Sequence, residues 1–180
     1  MEFDKKYIEL VRRTFPNATE PELYTLIYLA KEYNLDPIKK EIYFIKYGSG
    51  KPTIITGRDG YLKIANTNPQ FDGLESDVVY EGDKLTKRED GSLLIEYGEN
   101  HMVFNTPKLI GAFANVFRKD RTQACSVFIS LKDYQKRDST TWKQYINAMT
   151  LKVAETMALK RAFAISGLVT KEELDAGNEE

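Results

Sequence analysis

Histidine, cysteine and tryptophan each occur once in these 180 residues. With His101 alone, a histidine-rich metal site or a Ser-His-Asp relay has little to draw on. With Cys125 alone, no internal disulfide can form. Its place in a predicted strand fits a buried thiol in a reducing compartment. No apolar run is long enough to span a bilayer, and no secretory leader is recognisable, so a cytoplasmic location is expected. There is no G-x-x-x-x-G-K-[ST] phosphate cradle. Gly48-Ser49-Gly50-Lys51 is too short for one and suits a hairpin turn. A net charge of −1 removes any electrostatic pointer in the average composition. Asp59 and Asp72 are the carboxylates a metal-dependent site would use. Aspartate beside Arg58 or Gly73 more readily caps a helix or turn.

What is present is a folded globule. Apolar residues make up 42% of the chain and aromatics are spread throughout it, enough for one domain with a real core. Residues 3–15 read as an amphipathic helix closed by Pro16-Asn17-Ala18. Thr19 with Glu22 three residues on is a capping box, so a second helix starts there and ends at Tyr33-Asn34 before Pro37. Residues 41–47 and 52–56 read as a β-hairpin. Arg58–Asn66 reads as a helix closed by Asn68-Pro69. Strands are predicted over 74–80, 93–97, 101–104, 112–117 and 124–129, separated by turn signals. A short helix follows Ser130, and Thr170 with Glu173 opens a last one. Helices, a hairpin and then consecutive strands make an α+β fold with an antiparallel sheet, not an alternating one.

The longest run free of Gly and Pro is Trp142 to Phe163, predicted as one long helix. At 100° per residue, Trp142, Tyr145, Ile146, Met149, Val153, Met157 and Phe163 form a broad apolar stripe. Lys143, Asn147, Thr150, Ala154 and Arg161 share a thinner, more polar face. Lys152 and Lys160 fall toward the apolar stripe, where a lysine either reaches the rim or meets an anionic partner. From Arg118 to Arg161 ten basic residues face four acids, and the residues beyond Arg161 carry five acids against Lys171. A basic segment followed by an acidic tail is the asymmetry to look for in a polyanion-binding chain, and a solvated face is the equally open reading of it.

Six segments in order over residues 19–168 resemble one family, the phage single-strand annealing proteins typified by RecT and lambda Beta. They are Asn34-Leu35-Asp36-Pro37, Lys40-Glu41-Ile42-Tyr43, Gly57-Arg58-Asp59-Gly60-Tyr61, Gln70-Phe71-Asp72-Gly73, Gly111-Ala112-Phe113-Ala114, and the helix carrying Trp142-Lys143, Met149, Lys152 and Lys160-Arg161-Ala162-Phe163. The resemblance implies a fold like the core of ring-forming annealing proteins. It implies ATP-independent binding of single-stranded DNA and annealing of complementary strands in recombination, by a homo-oligomeric ring or filament. It implies no catalytic residue, metal or cofactor. Single-stranded and annealed duplex DNA are the expected ligands, with a phage exonuclease and the host single-strand-binding protein as further partners in the bacterial cytoplasm. Residues 1–168 would be the DNA-binding and oligomerisation domain, and 169–180 an acidic tail that begins a truncated C-terminal region.

Carried over residue by residue, the expected DNA contacts are Lys40 and Lys51 bracketing the hairpin, then Arg58 and Lys63 on the short helix. Lys132 stands in the basic segment. Lys143, Gln144, Asn147, Lys152, Lys160 and Arg161 are carried by the long helix. Lys152 and Lys160 lead this set, because no core role suits a lysine there. Asn147 and Val153 stand where the Beta branch carries lysines. Tyr61 is expected in the core. Two other readings remain open from the residues: a coating protein that binds single strands without pairing them, and a metal-dependent nuclease built on Asp59 and Asp72.

Overall fold

A computed structural model describes residues 4–45, 52–99, 101, 108–136 and 139–177. In chain order the elements are helices α1 (Lys5–Thr14) and α2 (Glu20–Glu32), strands β1 (Ile42–Ile45) and β2 (Thr53–Thr56), and helix α3 (Arg58–Thr67). Strands β3 (Phe71–Tyr80), β4 (Lys84–Lys87), β5 (Leu93–Glu96), β6 (Leu109–Arg118) and β7 (Cys125–Ser130) follow. The chain then forms α4 (Leu131–Tyr134), α5 (Thr140–Gln144), α6 (Ile146–Ala162) and α7 (Lys171–Gly177). The fold is α+β with antiparallel sheets, as the element order predicts.

The helix starts form where side chains satisfy free amides. The Asp4 carboxylate accepts from the Tyr7 amide at 2.8 Å. Thr19 and Glu22 make the reciprocal capping box of α2. That helix ends at Glu32, the positive φ of 52° at Asn34 turns the chain, and the Leu35 amide donates back to the Ala30 carbonyl. The turn brings Pro37 and Lys40 to the foot of the hairpin, in which Ile42 pairs with Thr56 and Ile45 with Thr53.

The central sheet has the order β3-β6-β7, all antiparallel. Ala112, Ala114, Val116, Val127 and Ile129 of that sheet share one core with Val153, Ala154, Ala158, Leu159 and Ala162 of α6. Alanine at four-residue spacing on the helix, set against alanine on β6, lets helix and sheet approach closely and exclude water. On the other side of the sheet the β4–β5 hairpin is clamped by buried Asn115. Its side-chain carbonyl accepts from the Leu93 amide, and its amide donates to the Leu93 carbonyl, both at 2.8 Å.

Several predicted features change in three dimensions. The long helix is two, broken at Tyr145, where the backbone leaves helical geometry (φ −129°, ψ 41°). Hydrogen bonds continue on both sides of the break, from the Tyr145 amide to Thr141 and from the Met149 amide to Tyr145, so the break is a kink. Trp142 is buried, but Tyr145 is 60% exposed and leaves the predicted apolar stripe. Thr150 and Ala154, assigned to a polar face, are buried instead, because packing against the sheet selects small residues rather than apolar ones alone. Strand β4 was not predicted. Its Lys-Leu-Thr-Lys sequence has little apolar signal and it forms only against β5. Strand β3 starts at Phe71, with a register shift before Gly73, so Gln70–Gly73 is not a plain loop. His101 lies in a turn rather than a strand. There its Nδ1 meets the Asp83 carboxylate at 2.7 Å. Residues 102–104 of that predicted strand lie outside the described residues. Cys125 is only partly buried, and burial raises its thiol pKa. The last helix, predicted from Thr170 and Glu173, does form as α7, within the stretch expected to be an acidic tail.

Candidate nucleic-acid interface

An open groove of about 730 Å³ runs between three segments: the foot of the hairpin, the start of α3 and the middle of α6. Lys39, Lys40, Glu41 and Tyr43 form one wall. Gly57, Arg58, Asp59, Gly60 and Lys63 form the second. Ala148, Met149, Leu151, Lys152 and Glu155 form the third. Five basic residues and three carboxylates, Glu41, Asp59 and Glu155, therefore converge on a surface whose other parts are apolar or small. Four of them, Lys40, Arg58, Lys63 and Lys152, are among the residues the sequence singles out.

Close packing sets the groove's shape. A Cβ added to Gly60 would lie 2.8 Å from Thr56 Cγ2 and 2.9 Å from the Glu41 carbonyl oxygen. Only glycine lets α3 sit this near the hairpin foot. Lys40 has a positive φ of 59°, a conformation that costs a non-glycine residue roughly 1–2 kcal/mol. A strained lysine at the lip of a cleft is a feature that function can retain. Neither Lys39 nor Lys40 forms an ion pair among the described residues, and both are exposed.

The other bases are partly engaged. The Arg58 guanidinium donates from Nη1 to Glu155 at 3.0 Å and reaches Asp59 from Nε at 2.8 Å. Glu155 is nearly buried and also accepts from the Ser76 hydroxyl at 2.8 Å. Arg58 thus ties α3 to α6 while 40% of its side chain stays exposed. Lys63 pairs with Glu41, which also accepts from the Asp36 amide. Asp36 is itself anchored. Burial works against its charge, but the Tyr7 hydroxyl and the amides of Ile38 and Lys39 together hold its pKa below the ordinary aspartate value.

The two leading candidates are corrected in one respect. Lys152 and Lys160 do not stand free: Lys152 Nζ meets Glu172 at 2.7 Å, and Lys160 Nζ meets both Glu173 oxygens at 3.0 and 3.1 Å. Lys152 lines the groove all the same, and Lys160 lies along α6 from it. The remaining candidates do not line the groove. Lys132 is exposed on α4, and Lys143 and Gln144 are exposed on α5 beyond the kink. Asn147 is exposed and donates to the Tyr80 hydroxyl. Arg161 is exposed near the end of α6. Lys51 lies outside the described residues. Val153 is buried. The basic segment is not one continuous face either, because Arg118 closes the C-terminal end of α6. Its guanidinium donates to the Ala162 carbonyl at 2.7 Å and grips Asp120 with two bonds at 2.8 and 2.7 Å.

Sequence reasoning missed Lys39, Tyr43 and Glu155. The Lys39-Lys40 pair just after Pro37 was a usable signal. Nothing local marks Glu155 as the partner of a residue 97 positions away. Asp59 is engaged by Arg58, and no three His, Cys, Asp or Glu side chains converge among the described residues. No helix among them is long and apolar enough to cross a membrane.

The model of the RecT family matches residues 1–180. The recombination protein bet of Escherichia phage lambda is 34% identical over 59 residues, which are 33% of this chain and 23% of that protein's length.

Proposed function

The chain belongs to the RecT family, and from that premise we propose that it binds single-stranded DNA and anneals complementary strands without ATP. The observation that carries the reading is the convergence of Lys39, Lys40, Arg58, Lys63 and Lys152 on one groove containing Tyr43, Met149 and Leu151. Annealing has no covalent step. It needs two phosphate backbones to approach each other, and ammonium and guanidinium groups along a groove lower that repulsion by displacing counterions. Apolar side chains give bases and sugars a surface to rest on without reading sequence. Contacts confined to backbone and base faces leave the pairing edges open to a second strand.

One groove per subunit is short. In this reading several copies line up as a ring or filament and join their grooves into a track for single-stranded and newly annealed DNA. A phage exonuclease that exposes single strands and the host single-strand-binding protein are the proposed working partners, in the bacterial cytoplasm. No bond is made or broken by the protein, so it is read as a non-enzyme.

The test mixes two labelled complementary oligonucleotides with and without the protein. Faster pairing supports annealing; slower pairing would show a coating protein instead. Replacing Lys39 and Lys40 with Glu should weaken binding of a labelled oligothymidylate by roughly a hundredfold at low salt. Unchanged binding would remove the groove from the reading.

A further inference from the structure

Helix α7 lies on the cations that a DNA strand would use. Glu172 takes Lys152 at 2.7 Å, Glu173 takes Lys160 at 3.0 Å and Asp175 takes Lys136 at 3.6 Å. The Glu172 side chain is 5% exposed, so its carboxylate is inserted rather than resting at the rim. We propose that α7 is a built-in competitor for DNA: an acidic helix that occupies this lysine strip in the DNA-free chain and is displaced when a strand enters the groove. The proposal rests on the DNA-binding reading above and adds regulation to it.

The construction suits displacement. The chain just before α7 is anchored, because Val169 bridges Ile55 and its carbonyl accepts from the Thr56 amide at 3.0 Å. The helix beyond has one large apolar residue, Leu174, in Lys-Glu-Glu-Leu-Asp-Ala-Gly. Its start depends on Glu173, which accepts from the Thr170 amide while the Thr170 hydroxyl accepts from the Glu173 amide. Glu173 therefore serves both the cap and Lys160. A carboxylate and a phosphate oxygen accept from an ammonium group in the same way. A nucleic acid backbone adds counterion release, which a seven-residue peptide cannot match. Lys39 and Lys40, without ion-pair partners among the described residues, would take the first phosphates at the opposite wall, and Lys152 and Lys160 would then exchange partners. Until that exchange, weak polyanions meet only part of the basic surface.

The experiment changes Glu172→Gln, Glu173→Gln and Asp175→Asn together in the full chain and measures binding of a fluorescein-labelled oligothymidylate by anisotropy. Roughly tenfold tighter binding at low salt is expected. Hydrogen exchange on the unaltered protein reads the same event without any variant: amides of 171–177 should exchange faster once the oligonucleotide is added. Unchanged or weaker binding by the variant, with α7 exchange no faster in DNA, overturns the proposal and leaves the DNA-binding reading intact. If neither protein binds the oligonucleotide, the underlying reading is what fails.

Discussion

The two sides of the central sheet use charge differently. Behind the sheet, Arg88 holds Glu75 at 2.9 Å. Asn115 completes Glu75 at 3.1 Å and locks Leu93, and Asp83 receives His101 together with the Tyr80 and Gly98 amides. Every one of these groups has a geometric partner. On the groove side Lys39 and Lys40 have no ion-pair partner among the described residues, Lys40 sits in a strained backbone, and Lys152 and Lys160 are held by a short helix. A fold gains little from exposed cations in a strained loop. The contrast teaches that the rear of the molecule matches its charges internally, whereas the groove leaves two lysines exposed and unmatched among the described residues.

The largest expected effect lies at the rear. Asn115→Ala leaves the half-buried amide and carbonyl of Leu93 without their side-chain partner and should cost about 2–3 kcal/mol in chemical denaturation. DNA affinity of the folded protein should stay unchanged. A variant as stable as the parent would show that the clamp adds nothing and erase the contrast. Next comes Arg58→Gln, which leaves the nearly buried Glu155 with Ser76 alone. A loss of about 1–2 kcal/mol is expected, moderated by solvent at the partly exposed guanidinium. A pure DNA contact at Arg58 would show unchanged stability instead. Lys39→Gln with Lys40→Gly should give weaker DNA binding and stability equal to or slightly above the parent, since glycine relieves the positive φ at 40. The slope of log affinity against log salt should flatten by about 1.4, at about 0.7 per lost phosphate contact. An unchanged slope would assign both lysines to plain surface. The smallest effect is acidic. Glu75 is held below the ordinary glutamate value of 4.5, first by Arg88 and then by Asn115 against some burial. A lowered folded pKa contributes stability above the unfolded value and loses it as pH falls through the folded one. A modest drop in melting temperature is therefore expected below about pH 4.5, and Glu75→Gln should lessen it, leaving the share of Asp36 and Asp83, which are also held low.

Much of the site is local in sequence. The capping box, the hairpin, the glycine-led α3 and the pair at Lys39-Lys40 follow from spacing and side-chain chemistry within a few residues. So does the grouping of Lys40, Arg58 and Lys63, because a hairpin and the helix directly after it cannot lie far apart. The kink at Tyr145 has no such signature. No Gly or Pro marks it, and the stripe drawn through it assumed one continuous phase. The partners of Arg58, Lys152 and Lys160 were equally hidden, since they depend on where α6 and α7 come to rest.

The amino-acid sequence by itself determined the element order, the α+β class, the family, and a concentration of basic residues ahead of an acidic end. Side-chain periodicity, caps and turns act over a few bonds, so they are written locally. Only the tertiary structure decided which cations face the groove and which are already matched. Ion pairing depends on distances of a few ångströms between residues far apart along the chain. Packing against the sheet set those distances, and it placed Glu172 and Glu173 on the two lysines that looked most available.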